Sequence, residues 1–195
     1  MRQASLKIAF KEWAVVVDAL GHGEQILFLR KGGIRENQGA FHVDHQMFWL
    51  FPTLFHEAEQ AIIPSKLPAL QESTARMAKD SVDIEFLAVV DTAFRVPKVD
   101  LLKRLQGRHI WRESILEQRF EFGREPGLHA LIVRVYQLPV VQRFVLRENY
   151  GGCKSWIELE RTITGDVAPV LTDAAFAAQR DEICELLSNH ALAHP

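Results

Sequence analysis

The chain has 195 residues, of which 48% are hydrophobic and 25% are charged, and its formal net charge is −2. This composition is typical of a globular domain and excludes a disordered or fibrous chain. The small negative charge excludes a general electrostatic attraction to nucleic acid, so polyanion binding requires a local basic surface.

The first predicted element is a β-hairpin over residues 12–30. Two β-rich runs, EWAVVVDAL and EQILFL, are separated by Gly21, His22, Gly23 and Glu24. A glycine-containing link of this length is typical of a hairpin connection.

Residues 31–60 read KGGIRENQGAFHVDHQMFWLFPTLFHEAEQ and combine glycines, basic residues, histidines and aromatic residues. Within this segment, residues 34–46 are polar and irregular and predict a loop, a kind of segment that often carries function. The run MFWLF then predicts a short strand that ends at Pro52. Residues 54–61 predict the start of a helix with Thr53 as its N-cap.

The rest of the chain alternates between helical and β-rich patterns. Four runs predict helices: SKLPALQESTARMAKD, VDLLKRL, RESILEQRFEF and TDAAFAAQRDEICELLSNHA. Thr172 or Asp173 is the predicted N-cap of the last helix. Three runs predict strands: VDIEFLAVVDTAF, LHALIVRVYQL and VVQRFVL. Because the elements show no regular βαβ order, we expect an α+β fold. It forms a single domain over residues 1–195, with a mixed or mainly antiparallel sheet, flanking helices and a C-terminal helical extension, about residues 170–190, packed on the outside.

The histidines do not complete a recognisable metal site. FHEAEQ begins like a zinc-protease helix, but Gln60 occupies the second ligand position. His42 and His45 have helical spacing, yet only Asp44 stands near them as a third ligand. The sequence therefore predicts no metal and no cofactor, and it predicts a polar cluster formed by His42, His45, His56 and Glu57.

A metal-dependent phosphodiester or diphosphate hydrolase is the alternative function. The run AVVVDALGHGEQILFLRKGG followed by FWLFP resembles the start of a Nudix hydrolase, but only Glu57 and Glu59 are available for its magnesium site. A nuclease of the PD-(D/E)xK kind needs an acid on one strand and an acid-x-lysine on the next. The run SVDIEFLAVVD provides Asp83, Glu85 and Asp91, but the chain contains no such lysine motif.

Basic and aromatic residues also gather around two glycine turns, at residues 31–33 and 151–154. Backbone N–H groups of paired glycines form an anion-binding nest when a cation stands nearby, and aromatic faces stack bases. The same residues also suit ordinary turns, a solvated surface and a tryptophan-rich core. The residues predicted to bind an anion or nucleic acid are Arg30, Lys31, Gly32, Gly33, Arg35, Trp49, Trp111, Arg119, Lys154 and Trp156.

Five blocks of the sequence, KEWAVVVDALGHGEQILFLRKGGI, FWLFPTLFH, HIW, EPGLHALIVRVYQLP and GCKSWIEL, resemble a bacterial family, the domain of unknown function eighteen hundred and two. The resemblance covers a core of about residues 11–160. It implies a cytoplasmic bacterial protein whose relatives accompany Mrr-type restriction modules, and hence a link to restriction and modification of DNA. It assigns no catalytic residue.

The remaining features agree with a cytoplasmic location. Cys153 and Cys184 have no disulfide or metal-binding spacing. Charges at Lys7 and Lys11 interrupt the apolar N-terminal run, and no segment approaches the about 20 apolar residues that span a bilayer.

We therefore predict a nucleic-acid or nucleotide binding domain linked to DNA restriction or defence, with the hydrolase as the alternative. A third hypothesis is a non-catalytic subunit whose MFWLF segment packs on a protein partner. The sequence leaves open whether the protein is an enzyme, its oligomeric state, and whether residues 31–60 and 151–156 form one site.

Overall fold

The computed structural model describes residues 2–31, 34–37, 40–43, 45–54, 58–123, 125–152 and 154–188. The strands are β1 (Arg2–Trp13), β2 (Leu27–Arg30), β3 (Ile34–Asn37), β4 (Ala40–Val43), β5 (Met47–Thr53), β6 (Ser81–Val96), β7 (Leu128–Val145) and β8 (Trp156–Pro169). The helices are α1 (Ala14–Gly21), α2 (Ala58–Ala61), α3 (Leu67–Arg76), α4 (Val99–Arg104), α5 (Glu113–Glu121) and α6 (Asp173–Ser188), with short 3-10 helices at Pro64–Lys66 and Glu148–Tyr150. None of the helices in these ranges is long and apolar enough to cross a membrane.

A six-stranded sheet in the order β2-β7-β6-β5-β1-β8 forms the centre of the domain. Strands β1 and β5 are parallel, whereas the other pairs of this sheet are antiparallel. A further pairing of Tyr136 and Gln137 with the end of β8 joins β8 back to β7, so that five strands close into a barrel-like ring and β2 extends it. The prediction of a single α+β domain with a mixed sheet and flanking helices is confirmed.

The two faces of the sheet belong to different hydrophobic clusters. In β5, Trp49 and Phe51 belong to the cluster that is formed mainly by residues of the five ring strands, which we call the ring cluster. Phe48 and Leu50 belong to the larger cluster, which includes β2 and the helices. This alternation follows from the period of two residues along a strand. The side chains of Phe48, Trp49, Leu50 and Phe51 are buried in these two clusters. The MFWLF segment therefore does not form the exposed surface that we predicted for a protein partner.

The predicted hairpin over residues 12–30 is wrong in its first half. The run AVVVDALG forms helix α1, and seven of its eight residues are buried. A short apolar run that is buried on all sides has no periodicity that separates a strand from a helix, and its valines favour the strand. Packing of α1 against β5 and α3 decides in favour of the helix.

Three further elements differ from the sequence prediction. The predicted loop over residues 34–46 contains the antiparallel strands β3 and β4, whose runs IREN and AFHV are too short to show an apolar–polar alternation. The two runs separated by Pro139 form one strand, β7, in which a register irregularity against β6 accommodates the proline. Strand β8 and most of β1 were not predicted.

The later helices agree with the sequence. Helices α4, α5 and α6 lie where the patterns predict them. Thr172 is the N-cap of α6, because its hydroxyl accepts a hydrogen bond of 3.2 Å from the backbone N–H of Ala175.

Candidate nucleic-acid interface

The candidate site forms where β1 ends and α1 begins, around the carboxylate of Glu12. Only 3% of the Glu12 side chain is exposed, and its Oε1 atom accepts a 2.9 Å hydrogen bond from the backbone N–H of Trp13. The parallel pairing of β1 with β5 places Thr53 beside Trp13, and the Thr53 hydroxyl donates a 3.0 Å hydrogen bond to the Glu12 carbonyl oxygen. The fold thus holds a carboxylate in its interior, where an unpaired charge is costly.

Arg30, the last residue of β2, provides the opposite charge. Its Nη1 atom lies 3.2 Å from Oε2 of Glu12, and its Nη2 atom donates a 2.8 Å hydrogen bond to the Ser155 hydroxyl. The guanidinium carbon lies 4.7 Å from the centre of the Phe10 ring. With 24% of its side chain exposed, Arg30 is fixed in position and still reaches the solvent.

The turn that precedes β8 lies against this site. The backbone N–H of Lys11 donates a 2.8 Å hydrogen bond to the Ser155 carbonyl oxygen, and its ammonium group donates one of 2.9 Å to the Gly152 carbonyl oxygen. The rings of His45 and Trp156 pack edge to face with their centres 4.9 Å apart. Described parts of the two segments that the sequence analysis singled out therefore meet in one region.

Arg119, in the last turn of α5, lies over two tryptophans. Its guanidinium carbon is 4.0 Å from the centre of the Trp111 ring and 5.4 Å from that of Trp13. Trp111 is only 3% exposed and is anchored by an antiparallel bridge to Ile62. Arg119 makes no hydrogen bond to any residue in the described part of the chain. Its guanidinium is therefore oriented by aromatic contacts and keeps its donors for another group.

The charges of Glu12, Arg30 and Arg119 act on one another. Burial lowers the pKa of the Arg119 guanidinium, while the Glu12 carboxylate raises it and the Arg30 charge lowers it. The Glu12 carboxylate thus pairs directly with Arg30 and attracts Arg119 without contacting it, so that these three groups together carry an excess of one positive charge. A bound anion compensates such an excess, and a phosphate matches the fork of guanidinium donors.

Arg119 also lines an open pocket of about 450 Å³ at the edge of this region. Among the residues that the structure describes, the pocket wall consists of Trp13, Gln60, Ala61, Ser114, Ile115, Gln118 and Arg119. Arg119 is the charged member of this set, so no carboxylate in the described wall repels an anion.

Two of the predicted binding residues have structural roles. The ammonium group of Lys31 donates hydrogen bonds to the carbonyl oxygens of Phe120, Glu125 and Gly127, at 2.8, 2.6 and 3.0 Å, and thereby holds the chain that leaves α5. Trp49 is fully buried in the ring cluster and donates its indole N–H to the Leu6 carbonyl oxygen at 3.1 Å. Trp49 therefore presents no surface to a ligand, whereas the partly exposed Lys31 has its ammonium group occupied by three carbonyl oxygens.

The other predicted residues are distributed as follows. Lys154 is exposed and directly precedes Ser155, while Trp156 is half-buried. Arg35 and His42 stand opposite each other in the β3–β4 register. Gly32, Gly33, His56 and Glu57 lie outside the described residues, so only His45 of the polar cluster has a described side chain.

Sequence reasoning missed Glu12, Trp13 and Ser155. Glu12 opens a valine-rich run that the sequence analysis interprets as a strand, so its carboxylate was not considered as part of a site. The available signal was Glu12 itself, a charged residue that stands at the end of a segment with alternating apolar residues.

The carboxylates proposed for a hydrolase do not gather into a metal site among the described residues, where no three His, Cys, Asp or Glu side chains lie close enough to hold an ion. Asp83 instead pairs with Arg143, whose Nε and Nη2 atoms lie 2.7 and 2.8 Å from its two oxygens. Hydrogen bonding to Arg143 lowers the pKa of Asp83. The described residues thus give the hydrolase hypothesis no support.

Comparison with known families places the chain. The family described as Domain of unknown function (DUF1802) matches residues 9–182, and the chain belongs to this family. The matched region is longer than the core on which the resemblance was noted, and it reaches into α6. No curated protein matches the chain.

Solved structures also match the chain, at low sequence identity. The crystal structure of ASCH from Zymomonas mobilis is 13% identical with a TM-score of 0.44, and the match covers 92% of this chain and 94% of that chain. A mutant of that protein is 16% identical with a TM-score of 0.45, over 78% of this chain and 89% of its own. Similarity of this degree assigns no function to the chain.

Proposed function

We propose that the protein binds nucleic acid or a nucleotide, with a phosphate group seated between Arg119 and Arg30. The observation that supports this function is the buried ion pair of Glu12 and Arg30, together with a second guanidinium, Arg119, that interacts electrostatically with both charges and lines an open pocket. Charge-assisted hydrogen bonds from guanidinium to phosphate are stronger than neutral ones, and they are strongest where burial has removed competing water.

The two arginines contribute in different ways. Arg30 is fixed by Glu12 and Ser155, so its role is to provide a positive charge at a defined position. Among the described residues Arg119 is held by ring contacts and by no hydrogen bond, so its N–H groups can form direct hydrogen bonds with the ligand. Exposed Lys154, next to Ser155, extends the positive surface along a strand of nucleic acid.

Binding of labelled DNA and RNA oligonucleotides, measured by fluorescence anisotropy at about 50 mM and about 200 mM salt, tests the proposal. We expect Arg119→Gln to weaken binding about tenfold and to reduce the salt slope by about one. Arg143→Gln is the matched control, because it removes the same charge from an arginine that already pairs with Asp83. Urea unfolding of each variant shows that the domain is intact.

The proposal fails if the wild type binds no oligonucleotide at the lower salt concentration, or if Arg119→Gln and Arg143→Gln weaken binding equally. Arg119→Lys separates charge from geometry, since a lysine keeps the charge but loses the planar fork. We expect it to recover only part of the affinity.

The family resemblance extends this proposal to a bacterial context of DNA restriction. Transformation of cells with unmodified plasmid, in the presence and absence of the protein, tests that extension. Equal transformation under both conditions contradicts it and leaves the binding proposal intact.

A further inference from the structure

We infer that the pocket beside Arg119 receives one unpaired base of a nucleic-acid strand and reads its hydrogen-bonding edge. This inference rests on the proposed function and makes it specific for single strands. It follows from the kinds of side chain that line the pocket, from two glutamine amides in its wall that form no hydrogen bond with another described residue, and from the volume of the pocket.

The first observation is a pair of glutamine side chains whose amides form no hydrogen bond with another described residue. Gln60 on α2 and Gln118 on α5 come from separate elements and line the same pocket. Both side chains are exposed, and neither forms a hydrogen bond with another described residue. A glutamine amide offers a donor and an acceptor side by side, which is the pattern that matches the edge of a base.

The second observation is the position of the amides relative to charge and aromatic surface. Arg119 lies in the same wall and would bind the phosphate adjoining the base, while Trp13 provides an aromatic wall for the base itself. Ser114, one turn from Gln118 on α5, adds a hydroxyl to the polar side of the pocket. The phosphate of one nucleotide would thus meet Arg119, its base ring would meet Trp13, and the edge of its base would meet the two glutamine amides.

The third observation concerns the strand state of the ligand. The pocket is open to solvent and has a volume of about 450 Å³, which is in the range of small-molecule sites. Bases in a duplex are stacked and have their pairing edges occupied, so they cannot enter a cavity without leaving the helix. An unpaired base enters at no such cost, and we therefore assign the site to single-stranded nucleic acid.

The test uses single-stranded oligonucleotides of one base type each and a duplex of mixed sequence, measured against the full chain by anisotropy. We expect the best single strand to bind at least about tenfold more tightly than the duplex, and the four bases to differ in affinity. In Gln118→Ala and Gln60→Ala we expect the ratio between the best and the worst base to fall by about tenfold. Gln71→Ala, an exposed glutamine on α3, is the matched control and should leave the ratio unchanged.

The outcomes separate the inference from the proposed function. If Arg119→Gln weakens binding but Gln118→Ala and Gln60→Ala leave the base preference unchanged, the inference is wrong and the proposed function stands. If the duplex binds as tightly as the single strands, the inference is also wrong. If polyglutamate competes as well as an oligonucleotide, the pocket recognises acidic chains in general, and both are overturned.

Discussion

The Nη1 atom of Arg30 lies 3.2 Å from the Oε2 atom of Glu12, and this pair joins the end of β2 to the end of β1. Neither strand pairs with the other in the sheet, since β2 is bound to β7 and β1 to β5 and β8. The ion pair is therefore a tertiary contact that fixes the position of a positive charge at the candidate site.

Replacement of Glu12 by glutamine should change stability and binding in opposite directions. The change leaves Arg30 without its paired carboxylate and removes the negative charge that attracts Arg119, so we expect the free energy of unfolding to fall by about 2 kcal/mol. The same change raises the positive charge of the site, so the affinity for oligonucleotides should rise. Urea denaturation and anisotropy measure the two effects.

Glu185→Gln, which removes an exposed carboxylate on α6, is the control for net charge. An equal rise in affinity for this variant would assign the effect to the overall field of the protein. A Glu12→Gln variant that binds more weakly while remaining folded would contradict the proposed role of the carboxylate.

The two lysines that the sequence analysis grouped together should behave differently. Lys31→Met removes three hydrogen bonds to carbonyl oxygens, and we expect it to cost about 2 kcal/mol of stability with little effect on oligonucleotide binding at temperatures where it is folded. Lys154→Met alters an exposed side chain, so it should weaken binding a few-fold and change stability by less than about 0.5 kcal/mol. The reverse pattern would restore the original prediction for Lys31.

Stability should depend on pH through His109, which is 7% exposed and whose ring nitrogens form no hydrogen bond of normal geometry within the described residues. Burial lowers the pKa of His109 from 6.5 to about 4, against an opposing contribution from the Trp111 backbone. Between these two values the unfolded chain binds the proton more strongly than the folded one does. The contribution to stability is therefore complete above about pH 6.5 and is lost as the pH falls to about 4, an effect of about 3 kcal/mol.

Comparison of the wild type with His109→Leu isolates this effect, because leucine removes the titrating group from an apolar environment. We expect the wild type to lose about 3 kcal/mol more than the variant between about pH 7 and about pH 4. His22→Gln, at an exposed histidine, should retain the wild-type profile. Parallel profiles for the wild type and His109→Leu would contradict the assignment.

Trp49 should matter for stability and not for binding. Trp49→Phe removes the indole N–H that pairs with the Leu6 carbonyl oxygen and leaves a small cavity in the ring cluster. We expect the free energy of unfolding to fall by about 2 kcal/mol and oligonucleotide affinity to stay the same. Loss of affinity in a fully folded variant would return Trp49 to the binding surface.

The sequence correctly predicted the elements whose caps and apolar periodicity are visible in consecutive residues. Helix α6 combines a threonine N-cap with apolar residues along one side, and both are written in consecutive residues. Helix α1 carries no such signal, because its valine-rich run is buried on all sides and its conformation depends on what packs around it.

The candidate site shows the same division. Arg30, Arg119 and Trp111 were identifiable as residue types suited to anions and bases, and the structure brings them to the region of Glu12. Lys31 was equally suitable by residue type, but three carbonyl oxygens from a distant part of the chain occupy its ammonium group.

The sequence by itself determined that the chain folds as an α+β domain, where most of its later helices lie and to which family it belongs. These properties depend on composition and on residues that are neighbours along the chain. Tertiary structure alone decided which charges meet. Glu12, Arg30 and Arg119 are far apart in sequence, and they come together only because the closed sheet and the packing of α5 bring three ends of elements to one place.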